Sequence, residues 1–498
     1  MSEHHPSDAN PSSRLRPRAV YSSARWAQRR SPTDLLPPKR GTADRARLVV
    51  ASNRLPVTIT RGPEGQLEAG PAAGGLITAL EPVMRERGGV WLGWPGAVGE
   101  CGLEVGRAMQ ASDPARPYSL KPIDLSAEDR DLYYLGFAND VLWPLLHGLV
   151  DRCGGGSTYL DRYRVVNRRF ARAIAEVSNE RDFIWVHDYH LLLVGRELRK
   201  LGLRNRVGFF LHTPFPAPDL MRDMPWSPEI LEGLAAFDLL GFQSPRDQEN
   251  YQAARGEEVA PARVFPISID FDEFHPSVTQ PSVPIEADRI RSIVGPRTLI
   301  LGVDRLDYTK GLPEKLRGFR SALREHPELR GRVVLEQLVI PSRSELASYR
   351  AVKDEVENLV ADINREWARD GWLPVRYHYG HWSRCELLAR YQAADVALVT
   401  PLMDGMNLVA KEYCVANRGG GVLILSETAG AAHELSHSAI LVDPTDERAI
   451  GDSVLRAVRM PYTERFKRMS GARELLRARD VHHWVDGFLR EGLDALRG

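Results

Sequence analysis

Short apolar runs alternate along the chain with stretches of helical periodicity, and this alternation limits the fold more than any other feature. The first series of runs covers residues 48–52, 183–187, 207–212 and 264–268. The second series covers residues 298–303, 333–339, 396–400, 422–425 and 439–442. Apolar strands that alternate with helices indicate parallel sheets covered on both faces. Two such series predict an α/β protein with two doubly wound, Rossmann-like domains facing a central cleft.

The chain length agrees with two domains, because 498 residues exceed what one hydrophobic core usually supports. Residues 271–286 contain prolines and polar side chains without clear periodicity, so we expect the domain junction there. The predicted domains are residues 47–272 and 273–480. Residues 481–498 are amphipathic and predict a terminal helix that packs back toward the first domain. Residues 1–46 have the composition of a disordered tail.

The bulk composition excludes several classes of protein. Lys plus Arg and Asp plus Glu number 66 each, without the basic excess of a nucleic-acid-binding protein. The sequence has no apolar run long enough to span a membrane and no signal-peptide pattern. The four cysteines lack zinc-ligand spacing, and a reducing cytoplasmic location is expected. Small-molecule substrates are therefore the expected partners, while a homo-oligomer stays open.

Cationic residues recur directly after the predicted strands, where parallel sheets bind ligands. Arg54 follows the first strand, Arg305 and Lys310 follow the strand that begins at residue 298, and Arg343 follows the next one. Two helix starts, at Gly74–Gly75 and near Asn407, add free amides and positive dipole ends. Each feature alone is as well explained by a turn or a structural salt bridge. Together they predict a cleft for two phosphorylated ligands.

Histidines and carboxylates lie at the same strand ends. Residues 187–190 read His-Asp-Tyr-His, and His212 precedes a proline-stiffened loop. This pattern fits metal or acid–base chemistry, but equally a capping aspartate beside core histidines. Glu412 lies on the first turns of the predicted helix that follows Asp404–Gly405.

These residues belong to motifs that resemble the trehalose-6-phosphate synthases, retaining glycosyltransferases of the two-Rossmann-domain GT-B type. The resemblance runs from about residue 48 to the C-terminus. The motifs are SNR at 52–54, AGGL at 73–76, WLGWPG at 91–96, YYLGFANDVLWP at 133–144, WVHDYHLL at 185–192, GFFLHTPFP at 208–216, DRLDYTKGL at 304–312, PSR at 341–343 and DGMNLVAKEY at 404–413.

The resemblance implies transfer of glucose from a nucleotide-glucose to glucose 6-phosphate. It implies an acceptor site formed by Arg54, Trp94, Tyr134, Trp143, Asp188 and Arg343, with Trp94 favoured over Trp91. It implies a donor site formed by Gly74, Gly75, His212, Arg305, Lys310, Trp382, Asp404, Leu408, Val409, Ala410, Lys411 and Glu412. The residues expected to act in catalysis are Arg305, Lys310, Asp188 and His212.

The resemblance also implies chemistry without a metal or cofactor. Arg305, Lys310 and helix amides would stabilise the charge that develops on the leaving diphosphate. The resemblance implies a front-face displacement in which the departing phosphate oxygen takes the acceptor proton. No side chain is therefore assigned as a general base.

Two residues depart from the family pattern in the donor half. Met403 stands where arginine is common, and Trp382 stands where phenylalanine is usual near the nucleobase. Both changes favour stacking and shape over fixed polar contacts. We expect GDP-glucose to be used as well as, or in preference to, UDP-glucose. The alternative is that Trp382 contacts the base only through its backbone.

Two other functions compete with this interpretation. A glucosylglycerol-phosphate synthase would use glycerol 3-phosphate, but Tyr134, Trp143 and Asp188 match a sugar acceptor. A non-catalytic sugar-phosphate sensor would not need the full set of cations and carboxylates. A pseudo-glycosyltransferase that couples cyclitols fits less well, because such relatives tend to lose parts of these motifs.

Overall fold

The computed structural model describes residues 46–494, except 63–65, 73, 100–101, 257–260, 277–279, 344 and 370. Within this part of the chain, the segment that begins at Arg47 forms one compact unit. The predicted tail lies outside the described residues apart from its last one, as do Ala73 of the AGGL motif and the last residues of the predicted terminal helix.

The chain alternates strands and helices over almost its whole described length. The strands are β1 Leu48–Arg54, β2 Val57–Arg61, β3 Leu67–Pro71, β4 Val90–Trp94, β5 Ser119–Pro122, β6 Phe183–His187, β7 Val207–Phe210, β8 Leu239–Phe242, β9 Ala262–Val264, β10 Thr298–Arg305, β11 Val333–Ile340, β12 Val375–Tyr379, β13 Val396–Val399, β14 Val422–Ser426 and β15 Ala439–Val442. The α-helices are α1 Gly75–Arg87, α2 Leu103–Ser112, α3 Trp143–Leu146, α4 Ser157–Val177, α5 Val194–Lys200, α6 Pro218–Arg222, α7 Ser227–Ala235, α8 Pro245–Arg255, α9 Phe271–Phe274, α10 Ser282–Val294, α11 Leu312–Glu325, α12 Ala347–Trp367, α13 Arg384–Ala393, α14 Leu408–Ala416, α15 Ala432–Leu435, α16 Glu447–Arg459, α17 Tyr462–Ala478 and α18 Val481–Asp494.

Two parallel sheets form the framework of the described residues. The first has the order β5-β4-β1-β6-β7-β8-β9, and the second has the order β12-β11-β10-β13-β14-β15. Every pairing within these two sheets is parallel. β2 and β3 form a separate antiparallel hairpin. The predicted pair of doubly wound α/β domains is thus the observed architecture.

Most predicted strands lie where the apolar runs indicated, because both faces of these strands are buried. The prediction for residues 264–268 was wrong, since β9 ends at Val264. Several short strands, including β4, β8 and β12, gave no separate signal in the sequence. β4 contains two tryptophans and a glycine, and β12 exposes part of every residue after Val375, so neither is a continuous aliphatic run.

The expected structureless junction contains two helices, which corrects that part of the sequence interpretation. Asp270 caps α9, and its side chain accepts hydrogen bonds from the amides of Asp272 and Glu273. α10 buries its apolar face through residues 283, 287, 290 and 294, a spacing that the prolines and polar residues hid. No comparison tests the exact domain boundary, which stays a prediction.

The last helix covers an aromatic surface of the first sheet. Phe488 of α18 stacks on Trp185 of β6, with ring centroids 4.6 Å apart, and Trp484 lies 5.2 Å from the same indole. Trp484 also packs edge-on against Phe210 of β7. The C-terminal segment therefore supports the two strands that end at His187 and Phe210.

Candidate active site

The loops at the carboxyl ends of the two sheets contact each other directly. Trp143, which begins α3, donates through its indole N–H to Asp307, which follows β10, at 3.3 Å. Arg343, which follows β11, donates to the hydroxyl of Tyr189 after β6 at 3.1 Å. These contacts bring the predicted acceptor and donor residues to one cleft between the sheets.

Arg54 lies at one end of this cleft without a carboxylate partner among the described residues. Its guanidinium carbon is 4.7 Å from the centroid of the Trp94 ring, and it donates to the Thr58 hydroxyl at 3.5 Å. Burial lowers the pKa of Arg54. Tyr134 packs edge-on against Trp94 and stacks on His190. A cation supported by aromatic rings and free of counter-charge is suited to an anionic ligand.

The two tryptophans of the WLGWPG motif have different surroundings. The indole N–H of Trp91 donates to Ser52 at 2.8 Å, and the ring is fully buried beside Tyr118. Trp94 instead packs against Arg54. This geometry supports the preference for Trp94 as the residue of the acceptor site.

Tyr134 lies within a 14-residue π-helix, Asp129–Leu142, that leads directly into Trp143. Such helices are rare and recur at functional sites. This backbone was not predicted from the sequence, because π-helices are rare and residues 129–142 were interpreted only as part of a motif.

Two cations lie over the ring of Trp143. The guanidinium carbon of Arg343 is 4.3 Å from the Trp143 ring centroid, and that of Arg305 is 5.7 Å from it. Arg305 is exposed and has no salt-bridge partner among the described residues, whereas Arg343 pairs with Asp307. The Trp143 indole therefore contacts both Arg343, which is predicted to bind the acceptor phosphate, and Arg305, which is predicted to bind the donor diphosphate.

Asp307 organises this region, and the sequence analysis did not single it out. It accepts hydrogen bonds from Trp143, Arg343 and Tyr349, and from the amide and hydroxyl of Thr309. Burial alone would raise its pKa, but Arg343 and other nearby cations outweigh burial, and the pKa is lowered. Its position in the DRLDYTKGL motif could have indicated this role. An aspartate near a lysine is, however, usually interpreted as an ordinary ion pair.

Asp188 and His212 connect the ends of neighbouring strands. The Asp188 carboxylate accepts the backbone N–H of His212 at 3.2 Å. Asp188 has a φ of 75°, an unusual conformation for a residue with a side chain. Burial raises the pKa of Asp188 to about 6, although Arg305 and Arg343 oppose the rise.

Lys310 and Asp404 form an ion pair across two loops of the second sheet. The ammonium donates to the carboxylate at 2.6 Å, and both side chains are largely buried. Burial favours the protonated form of Asp404, but Lys310 outweighs it and lowers the pKa. Asn407 donates to the same carboxylate oxygen at 3.0 Å. Lys310 is therefore held at the cleft by Asp404 and is one of the cations that a structural salt bridge pairs.

Glycines permit the close approach of loops at the donor side. A Cβ added to Gly405 would lie 2.0 Å from the carbonyl oxygen of His212, and one added to Gly75 would lie 3.0 Å from the Leu408 side chain. Gly74, whose φ is 154°, precedes α1. These contacts bring the start of α1 and the loop after β7 against the start of α14.

The first turns of α14 contain the residues predicted to hold the nucleotide. Leu408, Val409 and Ala410 form its first turn. The amide of Ala410 donates to the Asn407 carbonyl at 3.3 Å, while those of Leu408 and Val409 have no acceptor within the helix. Glu412 accepts the hydroxyl proton of Tyr391 at 2.7 Å, and burial raises its pKa.

Lys411 requires a correction. Its fully buried ammonium donates to Glu434 at 2.5 Å and to the carbonyl of Ile267 at 2.8 Å. The side chain points into the protein, where the Ile267 carbonyl and Glu434 of α15 bind its ammonium. Only its main chain remains available for the predicted donor site.

Trp382 lies under a guanidinium at the edge of the second sheet. Arg390 is 3.9 Å from the Trp382 ring centroid, and Glu336 accepts a hydrogen bond from Arg390 at 3.2 Å. His378 packs edge-on against the same indole. One face of Trp382 is thus covered, which leaves the rest of the ring for a ligand.

Met403 contacts an arginine of helix α8, which follows β8 of the first sheet. The guanidinium of Arg246, on the first turn of α8, lies 3.3 Å from the Met403 sulfur and 3.5 Å from the Thr428 carbonyl oxygen. A guanidinium is therefore present beside position 403, although the sequence there lacks an arginine.

The described residues contain no group of three or more His, Cys, Asp or Glu side chains arranged to hold a metal ion. Within the same part of the chain, no helix combines the length and apolar character needed to cross a bilayer.

Comparisons with known proteins agree with this geometry. The model of glycosyltransferase family 20 matches residues 46–255 and 248–492. A trehalose-6-phosphate synthase of Mycolicibacterium smegmatis is 40% identical over 475 residues, which is 90% of this chain and 92% of that protein. A bifunctional trehalose-6-phosphate synthase/phosphatase of Thermoproteus tenax is 38% identical over 89% of this chain, but the match spans only 63% of that longer protein.

A solved structure has the same fold. It is that of an α,α-trehalose-phosphate synthase (UDP-forming) from Burkholderia xenovorans in complex with glucose-6-phosphate. The TM-score is 0.78 at 33% identity, with 90% of this chain and 100% of that chain covered.

Two parallel Rossmann-like sheets that face a common cleft define a glycosyltransferase of the GT-B class. Within that class, the chain belongs to glycosyltransferase family 20. The resemblance to trehalose-6-phosphate synthases and the expected fold are thereby confirmed. The roles of individual residues stay predictions.

Proposed function

We propose that the enzyme transfers glucose from a nucleotide-glucose to glucose 6-phosphate, with retention at the anomeric carbon. The products are α,α-trehalose 6-phosphate and a nucleoside diphosphate. The names of the relatives and the glucose-6-phosphate bound to the Burkholderia xenovorans protein support this acceptor.

The observation that carries the proposal is that Arg343 and Arg305 both contact the ring of Trp143. The two guanidinium carbons lie 4.3 Å and 5.7 Å from the same ring. An acceptor phosphate at Arg343 and a donor diphosphate at Arg305 would then be separated by little more than one indole. This spacing suits a reaction that joins two phosphorylated substrates.

The acceptor phosphate is expected to bind at Arg54 and Arg343, which approach the cleft from different sheets. Asp188 would accept hydrogen bonds from acceptor hydroxyl groups in its ionised form. Tyr134 and Trp94 would pack against the sugar phosphate. If the acceptor were glycerol 3-phosphate, some of these acceptor-site residues would not contact it.

The transferred glucose leaves a phosphate oxygen of the donor. In the proposed step, the bond from the anomeric carbon to that oxygen breaks, and a bond to the C1 hydroxyl oxygen of the acceptor forms on the same face. The departing phosphate oxygen takes the hydroxyl proton. Arg305, Lys310 and the amides at the start of α14 stabilise the negative charge that develops. The protein cations carry this role without a metal or cofactor.

The identity of the base is a separate part of the proposal. The Burkholderia xenovorans relative is described as UDP-forming, which supports UDP-glucose. Trp382 favours a base site that works by stacking, and the Arg246 guanidinium beside Met403 offers a polar contact. We therefore propose that GDP-glucose is used as well as, or in preference to, UDP-glucose.

The test incubates the purified protein with UDP-, GDP- or ADP-glucose and with either glucose 6-phosphate or glycerol 3-phosphate. Nucleoside diphosphate release measures the rate, and NMR of the product gives the anomeric configuration. Trehalose 6-phosphate with both anomeric centres in the α form supports the proposal. Transfer to glycerol 3-phosphate alone, or binding without turnover, would replace it with one of the competing functions.

A further inference from the structure

Two histidines at the carboxyl ends of β6 and β7 share a hydrogen bond. Nδ1 of His187 lies 3.1 Å from Nε2 of His212. Each ring carries one proton when it is neutral, so one nitrogen must donate and the other must accept. Burial lowers the pKa of His187 well below its usual value and that of His212 to about 3, so both rings are neutral near pH 7.

The surroundings of His187 are apolar. Its ring centroid lies 4.6 Å from that of Trp185, and Phe210 and Trp484 are each 6.5 Å away. His187 is fully buried, and its Nε2 has no hydrogen-bond partner among the described residues. The aromatic groups of β6, β7 and α18 therefore enclose that nitrogen without offering it an acceptor.

The other nitrogen of His212 is in a different position. His212 is only partly buried, and its Nδ1 is not among the buried nitrogens without a partner. Its backbone is fixed on both sides, because its amide donates to Asp188 and its carbonyl oxygen lies against Gly405. The free edge of this imidazole is thus available to water or a ligand at the cleft.

The two proton arrangements differ in what they leave unpaired. If His187 carried its proton on Nε2, a buried N–H would face only aromatic groups, and the hydrogen bond that it loses with water would not be replaced. If His187 carries its proton on Nδ1, the N–H is satisfied by His212, and only a lone pair remains buried. Orphaned buried N–H groups are rarer than unsatisfied acceptors.

We propose that His187 is a positioning residue that donates from Nδ1 to His212 and so holds His212 as the Nδ1–H tautomer, a neutral hydrogen-bond donor aimed at the cleft. His212 then recognises a lone pair on a ligand oxygen and does not accept a hydroxyl proton. This inference rests on the proposed function for the identity of that oxygen, which belongs to the transferred glucose or its phosphate. The Trp484 side chain of the terminal helix contributes by closing the apolar cage around His187.

The first experiment reads the tautomers directly, in the ligand-free wild-type protein. Long-range 1H–15N correlation spectra of protein labelled at histidine distinguish a protonated from an unprotonated ring nitrogen. His187→Asn and His212→Gln variants assign the signals. We expect protons on Nδ1 of both rings at pH 7. A proton on Nε2 of His212 would overturn the proposal, and this result does not depend on any substrate.

The second experiment uses matched variants of His187. An asparagine amide nitrogen can lie near the position of the histidine Nδ1, whereas a glutamine amide nitrogen lies nearer that of Nε2. We expect His187→Phe to lower kcat by at least ~10-fold, as for other residues that orient a functional histidine. The KM for the acceptor should change little. His187→Asn should recover most of the loss, and His187→Gln should not.

Thermal unfolding measured on each variant separates folding from positioning. Wild-type kcat in a folded His187→Phe protein, or equal recovery by asparagine and glutamine, would contradict the role of Nδ1. If His187→Phe does not fold, the wild-type spectrum decides the tautomer. Absence of glucosyl transfer by the wild-type protein would instead refute the proposed function and leave the tautomer result intact.

Discussion

Replacing Arg305 by alanine should abolish most turnover while leaving the protein as stable as before. Arg305 ends β10, is exposed, and has no salt-bridge partner among the described residues. Its nearest aromatic contact is Trp143, at 5.7 Å. The side chain therefore contributes little to folding, and its charge remains available for the diphosphate.

The magnitude follows from the exposure of this cation. A unit charge about 4 Å from another gains about 4 kcal/mol at the effective dielectric constant of a protein surface. Water at the exposed guanidinium screens part of this attraction. About 2.7 kcal/mol, or ~100-fold in kcat, is the loss expected for a single electrostatic donor to a developing negative charge. The free energy of unfolding should change by no more than about 0.5 kcal/mol.

The assay measures nucleoside diphosphate release at saturating substrates, together with urea unfolding of the same preparation. Arg297, at the opposite end of β10, provides a matched control. Its guanidinium donates to the carbonyl oxygens of Val294, Gly331 and Gly371. Arg297→Ala should lower stability and leave kcat unchanged, the reverse of the effect expected for Arg305→Ala.

Wild-type turnover in a folded Arg305→Ala protein would refute the argument. An equal loss of turnover in Arg305→Ala and in the Arg297→Ala control would also refute the proposed role of Arg305. The loss would then result from removing any positive charge. Arg305→Lys should recover part of the rate, since it restores the charge without the planar fork of donors.

Four further outcomes are expected. Arg343→Lys keeps a charge beside Asp307 but loses the hydrogen bonds to Tyr189 and Tyr349, so calorimetry should show glucose 6-phosphate binding weakened by more than ~10-fold, about 1.4 kcal/mol, with nucleoside diphosphate binding little changed. Incubation with EDTA should leave the rate unchanged; loss of activity restored by magnesium would contradict the proposed role of protein cations. The kcat/KM for GDP-glucose should equal or exceed that for UDP-glucose, and a UDP preference above ~10-fold, about 1.4 kcal/mol, would contradict the proposed base site. Burial raises the pKa of Asp188 to about 6, so the folded protein binds this proton more tightly than the unfolded chain. The stability of the wild type relative to Asp188→Asn should therefore fall as the pH rises from about 4 to about 6, as measured by thermal unfolding.

Much of the architecture was predictable because it depends on local patterns. β13 and β14 lie where continuous apolar runs predicted them, since a strand buried on both faces consists mainly of apolar residues. β4 and β8 were missed because tryptophan and glycine interrupt the aliphatic pattern. α10 was missed because its prolines and polar residues concealed a periodic apolar face.

The candidate site was likewise only partly predictable from the sequence. That Arg54, Arg305 and Arg343 belong to one cleft could be expected, because they follow strands whose carboxyl ends face it. The ion pair between Lys411 and Glu434 could not be predicted, because it depends on which face of α14 packs against the protein. The same holds for the covering of Trp382 by Arg390, which comes from the following helix.

The sequence by itself determined two parallel sheets, the loops that carry the chemistry, and the family. Strand order along the chain and the handedness of crossovers place strand ends on one edge whatever the side chains are. Only the tertiary structure decided which cations are free and which are paired. Arg305 has no salt-bridge partner among the described residues, whereas Lys310 pairs with Asp404, and Asp307 accepts hydrogen bonds from Trp143, Arg343 and Tyr349. Such pairings join residues far apart in sequence, so they depend on distances of a few ångströms that no local pattern encodes.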